Sequence, residues 1–241
     1  MTGFELVVTS LEGTLVDDGG AMRGALVGAL RRERMLFSED ELRSVTGLSP
    51  RRAVATLVRA RHGADEPTPL VERVREAFLR EVIALYSRPG LLRTVPGAVA
   101  ALAALRRAGV RVAIETSLPR AVANLALAAF PGHRDGPADT VVTSDELVRG
   151  RPSPEGVHEA MSRTGVASAR DVMRVGDTPA DLAQGTLAGC GAVVGVTYGS
   201  HTREELVLRP HTHLVDRPSE IVDLVAVAQV VWKKRAPEAS P

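Results

Sequence analysis

The chain has 241 residues, 44% of them apolar, a formal net charge of +1 and one cysteine, Cys190. A charge this close to zero excludes the basic surface that nucleic acids and anionic membranes bind, and a single cysteine excludes an intrachain disulfide. The longest late apolar run, Ile221 to Trp232, is interrupted by Asp223 and is too short to span a bilayer. We therefore expect a cytoplasmic protein with neither a nucleic-acid nor a membrane partner, and we keep a homodimer as an open alternative.

Short apolar runs rich in valine and isoleucine alternate with helical patterns along most of the chain. The runs are typical of buried parallel strands: Glu5–Thr9, Val110–Glu115, Thr140–Thr143, Val172–Val175 and Ala192–Val196. The helical patterns between and before them are Pro96–Ala108, Arg120–Phe130, Ser153–Thr164 and Pro179–Ala188. This alternation predicts an α/β fold with a Rossmann-like, doubly wound parallel sheet, and ligands of such sheets bind at the carboxyl ends of the strands.

One long segment, from Gly19 to Leu92, contains helical patterns only. These patterns are Met22–Arg34, Ser38–Thr46, Pro50–His62 and Leu70–Ser87. Because the segment follows the first strand directly, we predict an inserted cap that closes over the strand ends and excludes water. We therefore assign residues 1–18 and 93–241 to the core and residues 19–92 to the cap.

Polar residues follow four of the predicted strands. In chain order they are Ser10, Glu12, Gly13 and Thr14, then Thr116 and Ser117, then Arg151, and finally Asp177 and Asp181. Each group alone is a weak signal, because most hydroxyl and Gly-Asp turns are helix caps. The four groups in this order, each after a strand, indicate one shared site.

With the stretches "VGDTPADL" and "TYGSHTREEL", this order resembles the haloacid dehalogenase (HAD) superfamily over almost the whole chain, and its phosphonatase-like branch most closely. In that family a first aspartate attacks phosphorus and binds Mg²⁺, and a second, two residues on, is the general acid/base. A Ser or Thr and a Lys or Arg hold the phosphoryl oxygens, and late carboxylates complete the metal site. The family's phosphonoacetaldehyde hydrolases add a cap lysine that forms a Schiff base. The predicted cap has no lysine, so the resemblance does not extend to an imine route.

The resemblance implies an anion site and a metal site. Thr116 matches the phosphate-binding hydroxyl, with Ser117 beside it, and Arg151 matches the cation. Asp177 matches the late metal ligand, with Asp181 in support. The turn at Gly13 and Thr14 matches the one whose backbone N–H groups face the ligand, and Arg51 and Arg52 are the cap residues that we expect to reach it.

The first motif departs from the family at both of its acidic positions. Ser10 falls on the nucleophile and Glu12 on the acid/base. A serine needs a base to become nucleophilic, and the loss of one carboxylate should weaken Mg²⁺, a hard ion that prefers oxygen ligands. Simpler roles stay open, such as an ion pair between Glu12 and Arg151 or an N-cap role for Asp177.

Three functions follow from these departures. The first is a retooled, non-phosphatase enzyme that acts on a small anionic metabolite in the cleft between core and cap, with Glu12 as acid/base. The second is a non-catalytic protein that binds a ligand or a partner. The third is a weak Mg²⁺-dependent phosphatase or phosphonatase-like hydrolase.

Overall fold

The computed structural model describes residues 3–63, 68–131 and 137–235. Its strands are β1 (Leu6–Thr9), β2 (Val16–Asp17), β3 (Arg93–Thr94), β4 (Arg111–Glu115), β5 (Thr140–Val142), β6 (Val172–Gly176), β7 (Ala192–Val196) and β8 (His213–Val215). Six of them form a parallel sheet in the order β5-β4-β1-β6-β7-β8. The predicted α/β class is thus confirmed.

Helices cover both faces of this sheet. The helices of the inserted segment are α1 (Ala21–Arg32), α2 (Glu39–Ser44), α3 (Pro50–His62) and α4 (Thr68–Tyr86). The remaining helices are α5 (Ala98–Arg107), α6 (Arg120–Leu127), α7 (Glu155–Thr164), α8 (Pro179–Ala188), α9 (Arg203–Leu206) and α10 (Pro218–Arg235). Successive side chains of a strand point to opposite faces. Leu6 and Val8 of β1 accordingly pack with Val157 of α7 in one apolar cluster, whereas Val7 packs with Leu102 of α5 in another.

The inserted segment leaves and rejoins the core at a single point. β2 and β3 pair in antiparallel fashion, with Val16 opposite Thr94, and they adjoin the predicted cap limits, residues 19–92. Helices α1 to α4 lie between them. The Tyr86 hydroxyl at the end of α4 donates to Asp18 Oδ2 at 2.9 Å. This geometry holds the helical segment over the carboxyl end of β1.

Local sequence fixes where the helices near the strand ends begin. Thr178 caps α8 by accepting from the Asp181 amide, and the Asp181 side chain accepts from the Thr178 amide in return. Such a reciprocal capping box satisfies two amides that lack partners within the helix. The N-cap is therefore Thr178, which leaves the preceding residue, Asp177, outside the helix and free of that role.

The structure adds three strands and two α-helices that the sequence analysis did not predict, and the helices are α9 and α10. β8 (His213–Val215) extends the sheet beyond β7, and β2 and β3 form the short ladder at the base of the insertion. Within the described residues, no helix combines the length and the apolar character that crossing a bilayer requires. Residues 1–2, 132–136 and 236–241 of the predicted core, and residues 64–67 of the predicted cap, lie outside the described residues.

Candidate active site

A cavity of about 460 Å³ lies between the strand ends of the core and the inserted helices. Ser10, Glu12, Gly13, Ser117, Arg151 and Asp177 of the predicted site line it, together with Asp17, Asp18, Thr178 and Ser200 from the core side and Arg23, Arg43, Thr46 and Gly47 from the cap side. The topology therefore brings together polar residues that follow four different strands, β1, β4, β5 and β6, and the loop after β7.

The turn after β1 is built around a close approach to Asp177. Gly13 has a φ of 76°, and a Cβ there would lie 2.2 Å from Asp177 Oδ2, so only glycine fits. The Gly13 amide donates to the Val16 carbonyl at 2.8 Å, and the Thr14 hydroxyl donates to Asp177 Oδ1 at 3.0 Å. The expectation that the backbone N–H groups of this turn face a ligand is corrected for Gly13, whose amide has a partner within the chain, and Thr14 does not line the cavity.

Glu12 contacts the residue that the resemblance assigns to phosphate binding. The Thr116 hydroxyl donates to Glu12 Oε2 at 2.9 Å, and the Leu118 amide donates to the same hydroxyl at 3.1 Å. The other oxygen, Oε1, is buried and has no hydrogen-bond partner among the described residues. Burial raises the pKa of Glu12 to about 7, although its own backbone amide, Thr116 and Arg151 act in the opposite direction. Glu12 is thus a carboxyl group poised between its two protonation states near neutral pH.

Arg151 lies in a buried ion cluster, which consists of Arg151, Arg174, Glu115 and Asp181. Arg151 Nε donates to Glu115 Oε2 at 2.6 Å and Nη1 lies 2.9 Å from Asp181 Oδ1, and Nη2 donates to the Glu115 carbonyl. Arg174 Nη2 lies 2.9 Å from Glu115 Oε2 and 2.6 Å from Asp181 Oδ1. The cluster joins two cations to two carboxylates, so it presents little net charge to the cavity. The predicted cation is present, but most of its donors are engaged within the chain.

The carboxylates predicted for a metal site are separated by their partners. Asp177 lines the cavity and accepts from the Ser200 amide at 2.9 Å and the Ser200 hydroxyl at 2.6 Å, and burial raises its pKa. Asp181 does not line the cavity, because Arg151 and Arg174 hold it in the ion cluster. Within the described ranges, no three acidic, histidine or cysteine side chains converge on a point that could hold a metal. The donor set does not fit a dedicated Mg²⁺ site, and the supporting role of Asp181 is corrected.

The structure also corrects the expectation that Arg51 and Arg52 of the cap reach the ligand. Arg51 is exposed and pairs with Glu72 at 3.1 Å, and Arg52 donates to the Arg151 carbonyl at 3.3 Å from outside the cavity. Arg23 and Arg43 line the cavity instead. The reason is helix phase, because α3 buries Ala53, Val54, Leu57 and Val58 and turns its two N-terminal arginines toward solvent.

Two interactions at the site were missed in the sequence. Arg174 stands in the apolar run "VMRVG", and a charge in a buried strand signals a buried counter-ion. Arg43 on α2 also binds Glu205 on α9, with Nη1 2.8 Å from each carboxylate oxygen. This pair joins the cap to the core beside the cavity, and no local pattern in the sequence identifies it.

Comparison with known proteins places these features in a family context. The haloacid dehalogenase-like hydrolase family matches residues 6–189. The chain is 35% identical to the probable phosphatase IndB of Dickeya dadantii, over 90% of this chain and 91% of that protein. It is 24% identical to a phosphonoacetaldehyde hydrolase of Paraburkholderia phytofirmans, over 88% and 83% of the two chains. A phosphonoacetaldehyde hydrolase-like structure from Oleispira antarctica superposes with a TM-score of 0.79, 17% identity and coverage of 100% and 98%.

Proposed function

The chain belongs to the haloacid dehalogenase-like hydrolase family, and we propose that it is a retooled enzyme of that family. It uses Glu12 as the acid/base on a small anionic metabolite bound between core and cap, and it does not use the aspartyl-phosphate route. The observation that carries this proposal is the state of Glu12, whose Oε2 accepts from Thr116 while Oε1 has no hydrogen-bond partner in the described part of the chain. A cytoplasmic location, favoured by the single cysteine, is part of the same proposal.

The environment of Glu12 suits proton transfer. A pKa of about 7 means that both the acid and its conjugate base are populated near neutral pH, where general acid/base catalysis is most efficient. Thr116 fixes the orientation of the carboxyl group, and the unpartnered Oε1 has full capacity to accept or donate a proton. Strong perturbation of a carboxyl group in a cleft is typical of functional sites.

The residue at position 10, in the same turn, argues against the aspartyl-phosphate route of the family. Position 10 carries a hydroxyl, which is only 2% exposed, and such a hydroxyl must lose a proton before it can attack phosphorus. A phosphoserine ester, once formed, would hydrolyse far more slowly than an acyl-phosphate. Because Asp181 is committed to the ion cluster and Asp177 to neutral donors, we also propose that Mg²⁺ binds weakly.

An anionic ligand still has donors in the cavity. A guanidinium has five N–H donors, and the intrachain contacts of Arg151 use three of them. Ser117 adds a hydroxyl on the cavity wall. The aspartate that the family carries at position 10 is absent, so one source of repulsion toward an anion is removed. Thr116 is fully buried, does not line the cavity and donates its only O–H to Glu12, so it positions the acid/base and does not bind the anion.

The curated relative favours a second candidate. The protein that is 35% identical over 90% of this chain bears the name of a probable phosphatase. A weak phosphatase that activates water directly, with Glu12 as the base, therefore remains the alternative to the retooled enzyme.

Two sets of variants test the proposal. Purified protein and its Glu12→Gln variant are incubated with a panel of phosphorylated and carboxylated metabolites, and products are detected by mass spectrometry. Loss of general acid/base catalysis predicts a rate roughly 10²- to 10⁴-fold lower in the variant, while ligand-induced thermal shifts persist. Equal turnover by both proteins would overturn the role of Glu12, and binding without turnover of any compound would point to a non-catalytic protein.

The second set concerns the phosphatase route. We expect slow hydrolysis of an aryl phosphate with excess Mg²⁺ by the natural protein, and faster hydrolysis by the double variant Ser10→Asp with Glu12→Asp. Ser10→Ala is the matched control, because it removes the hydroxyl without adding a carboxylate. Robust hydrolysis by the natural protein, undiminished in Ser10→Ala, would favour the phosphatase alternative.

A further inference from the structure

A second, smaller cavity of about 60 Å³ lies inside the cap, next to the candidate active site. The side chains that face it from the four cap helices and their loops are mainly apolar: Leu26, Leu42, Val45, Leu48, Pro50, Ala53 and Phe78, with Leu118 closing it from the core. Most of these residues are buried. The volume is several times the ~10–15 Å³ that one water needs, and cavities with such walls stay dry.

This small cavity lies directly beside the large one. Five residues line both, namely Met22, Arg23, Thr46, Gly47 and Ser117. Ser117 is also one of the proposed donors to the anionic group. A ligand bound at Ser117 therefore lies beside the wall that the two cavities share.

The walls of the two cavities differ in chemistry. The large cavity has four carboxyl-bearing residues and three arginines, whereas the small cavity has a single charged residue, Arg23, whose guanidinium pairs with Glu39. A polar substituent that entered the small cavity would lose its hydration without gaining a partner. An alkyl substituent would instead remove apolar surface from water.

We propose that the small cavity is a specificity subsite, and that the substrate carries a short apolar substituent of roughly two to four carbon atoms beside the polar group that binds at Ser117. This inference rests on the proposed function for the position of the polar group. It adds that the cap selects among anionic metabolites by the size of their apolar part.

A series of ligands that differ only in chain length tests this subsite. Inorganic phosphate and methyl-, ethyl-, propyl-, butyl- and hexylphosphonate are titrated by calorimetry. Each methylene that enters the cavity should tighten binding about threefold to fourfold, and the gain should stop once the cavity is full. A parallel series of alkylammonium ions, from methyl to hexyl, carries the same chains on the opposite charge.

Substitutions inside the cavity give the matched control. Ala53→Met fills the cavity and should abolish the gain with chain length, while inorganic phosphate binds as before. Ala60→Met places the same side chain at an exposed position of the same helix and should leave the gain intact. Leu26→Ala enlarges the cavity and should shift the optimum to a longer chain, which keeps the test usable if Ala53→Met perturbs folding.

The outcomes separate the two proposals. Phosphate binding without any effect of chain length would overturn the subsite alone. A chain-length effect in the ammonium series, with no binding of phosphate or phosphonates, would support the subsite and overturn the anion site. Absence of a chain-length effect in both series would overturn the subsite.

Discussion

Replacing Glu12 by glutamine should change how the stability of the protein depends on pH. In the native state the carboxyl group is buried, with one oxygen accepting from Thr116 and the other without a hydrogen-bond partner among residues 3–63, 68–131 and 137–235. Glutamine is similar in size and stays neutral at every pH. The difference in free energy of unfolding between the two proteins therefore reports the cost of ionising Glu12 in the folded state.

The magnitude follows from the pKa of Glu12, which burial raises from its ordinary 4.5 to about 7. A group whose pKa is higher in the folded state contributes stability that is complete below the unfolded pKa and is lost as pH rises through the folded one. At about 1.4 kcal/mol per pH unit, the natural protein should lose ~3 kcal/mol relative to Glu12→Gln between pH 4.5 and 7. Above pH 7 the difference should become constant.

Urea unfolding of both proteins at intervals between pH 4.5 and 8 provides the measurement. With the usual 1–3 kcal/mol per molar urea, the expected change separates the two midpoints by about 1 M or more. Other titrating groups are present in both proteins and cancel in the difference. Glu76→Gln, at a side chain that is 58% exposed, controls for the substitution itself. A difference that stays flat across this range would refute the assignment of Glu12 as a perturbed acid/base.

Three further predictions follow from the contacts at the site. Arg174→Met leaves one cation for two buried carboxylates and should lower the free energy of unfolding by ~3–5 kcal/mol. In urea unfolding, the added substitution Glu115→Gln should restore part of this loss, and purely additive losses would contradict a coupled cluster. Calorimetric titration should give a millimolar or weaker affinity for Mg²⁺, whereas a micromolar affinity that Asp177→Ala abolishes would mean that the cavity rebuilds a metal site. Thr116→Val removes the donor that orients Glu12 and should lower turnover while Thr116→Ser preserves it, and equal rates in all three proteins would exclude this hydroxyl as the positioning group.

The sheet could be predicted from the sequence because buried parallel strands are continuous apolar runs. The run at β7, Ala192–Val196, has every residue buried, so its pattern is unambiguous. β8 was missed because it lies at the sheet edge and its first residue, His213, is exposed. An edge strand with one exposed end carries a mixed pattern that resembles a loop.

The candidate site was predictable in its residue types but not in its partners. The order of polar residues after the strands predicted one shared site. Glu12, Ser117, Arg151 and Asp177 do line one cavity, whereas Thr14, Thr116 and Asp181 do not. Which donor binds which acceptor depends on side-chain orientation over distances of about 3 Å, which spacing along the chain does not encode. The solvent exposure of Arg51 and Arg52, in contrast, could have been predicted from the sequence, because the 3.6-residue periodicity of α3 places them away from its buried face.

The position of β1 sets the order in which the molecule can fold. Leu6 pairs with Arg111 on one side and with Val172 on the other, so the first strand of the chain occupies the middle of the sheet. Its native neighbours lie more than a hundred residues further on, and contacts of such large sequence separation form slowly. The helices of the insertion make local contacts within one segment, and the β2–β3 ladder brings the ends of that segment together. Early closure of this long loop shortens the effective separation between β1 and β4 and lowers the entropy lost when they pair. During synthesis β1 thus has no partner in the sheet until β4 has emerged, and it gains its second partner only with β6.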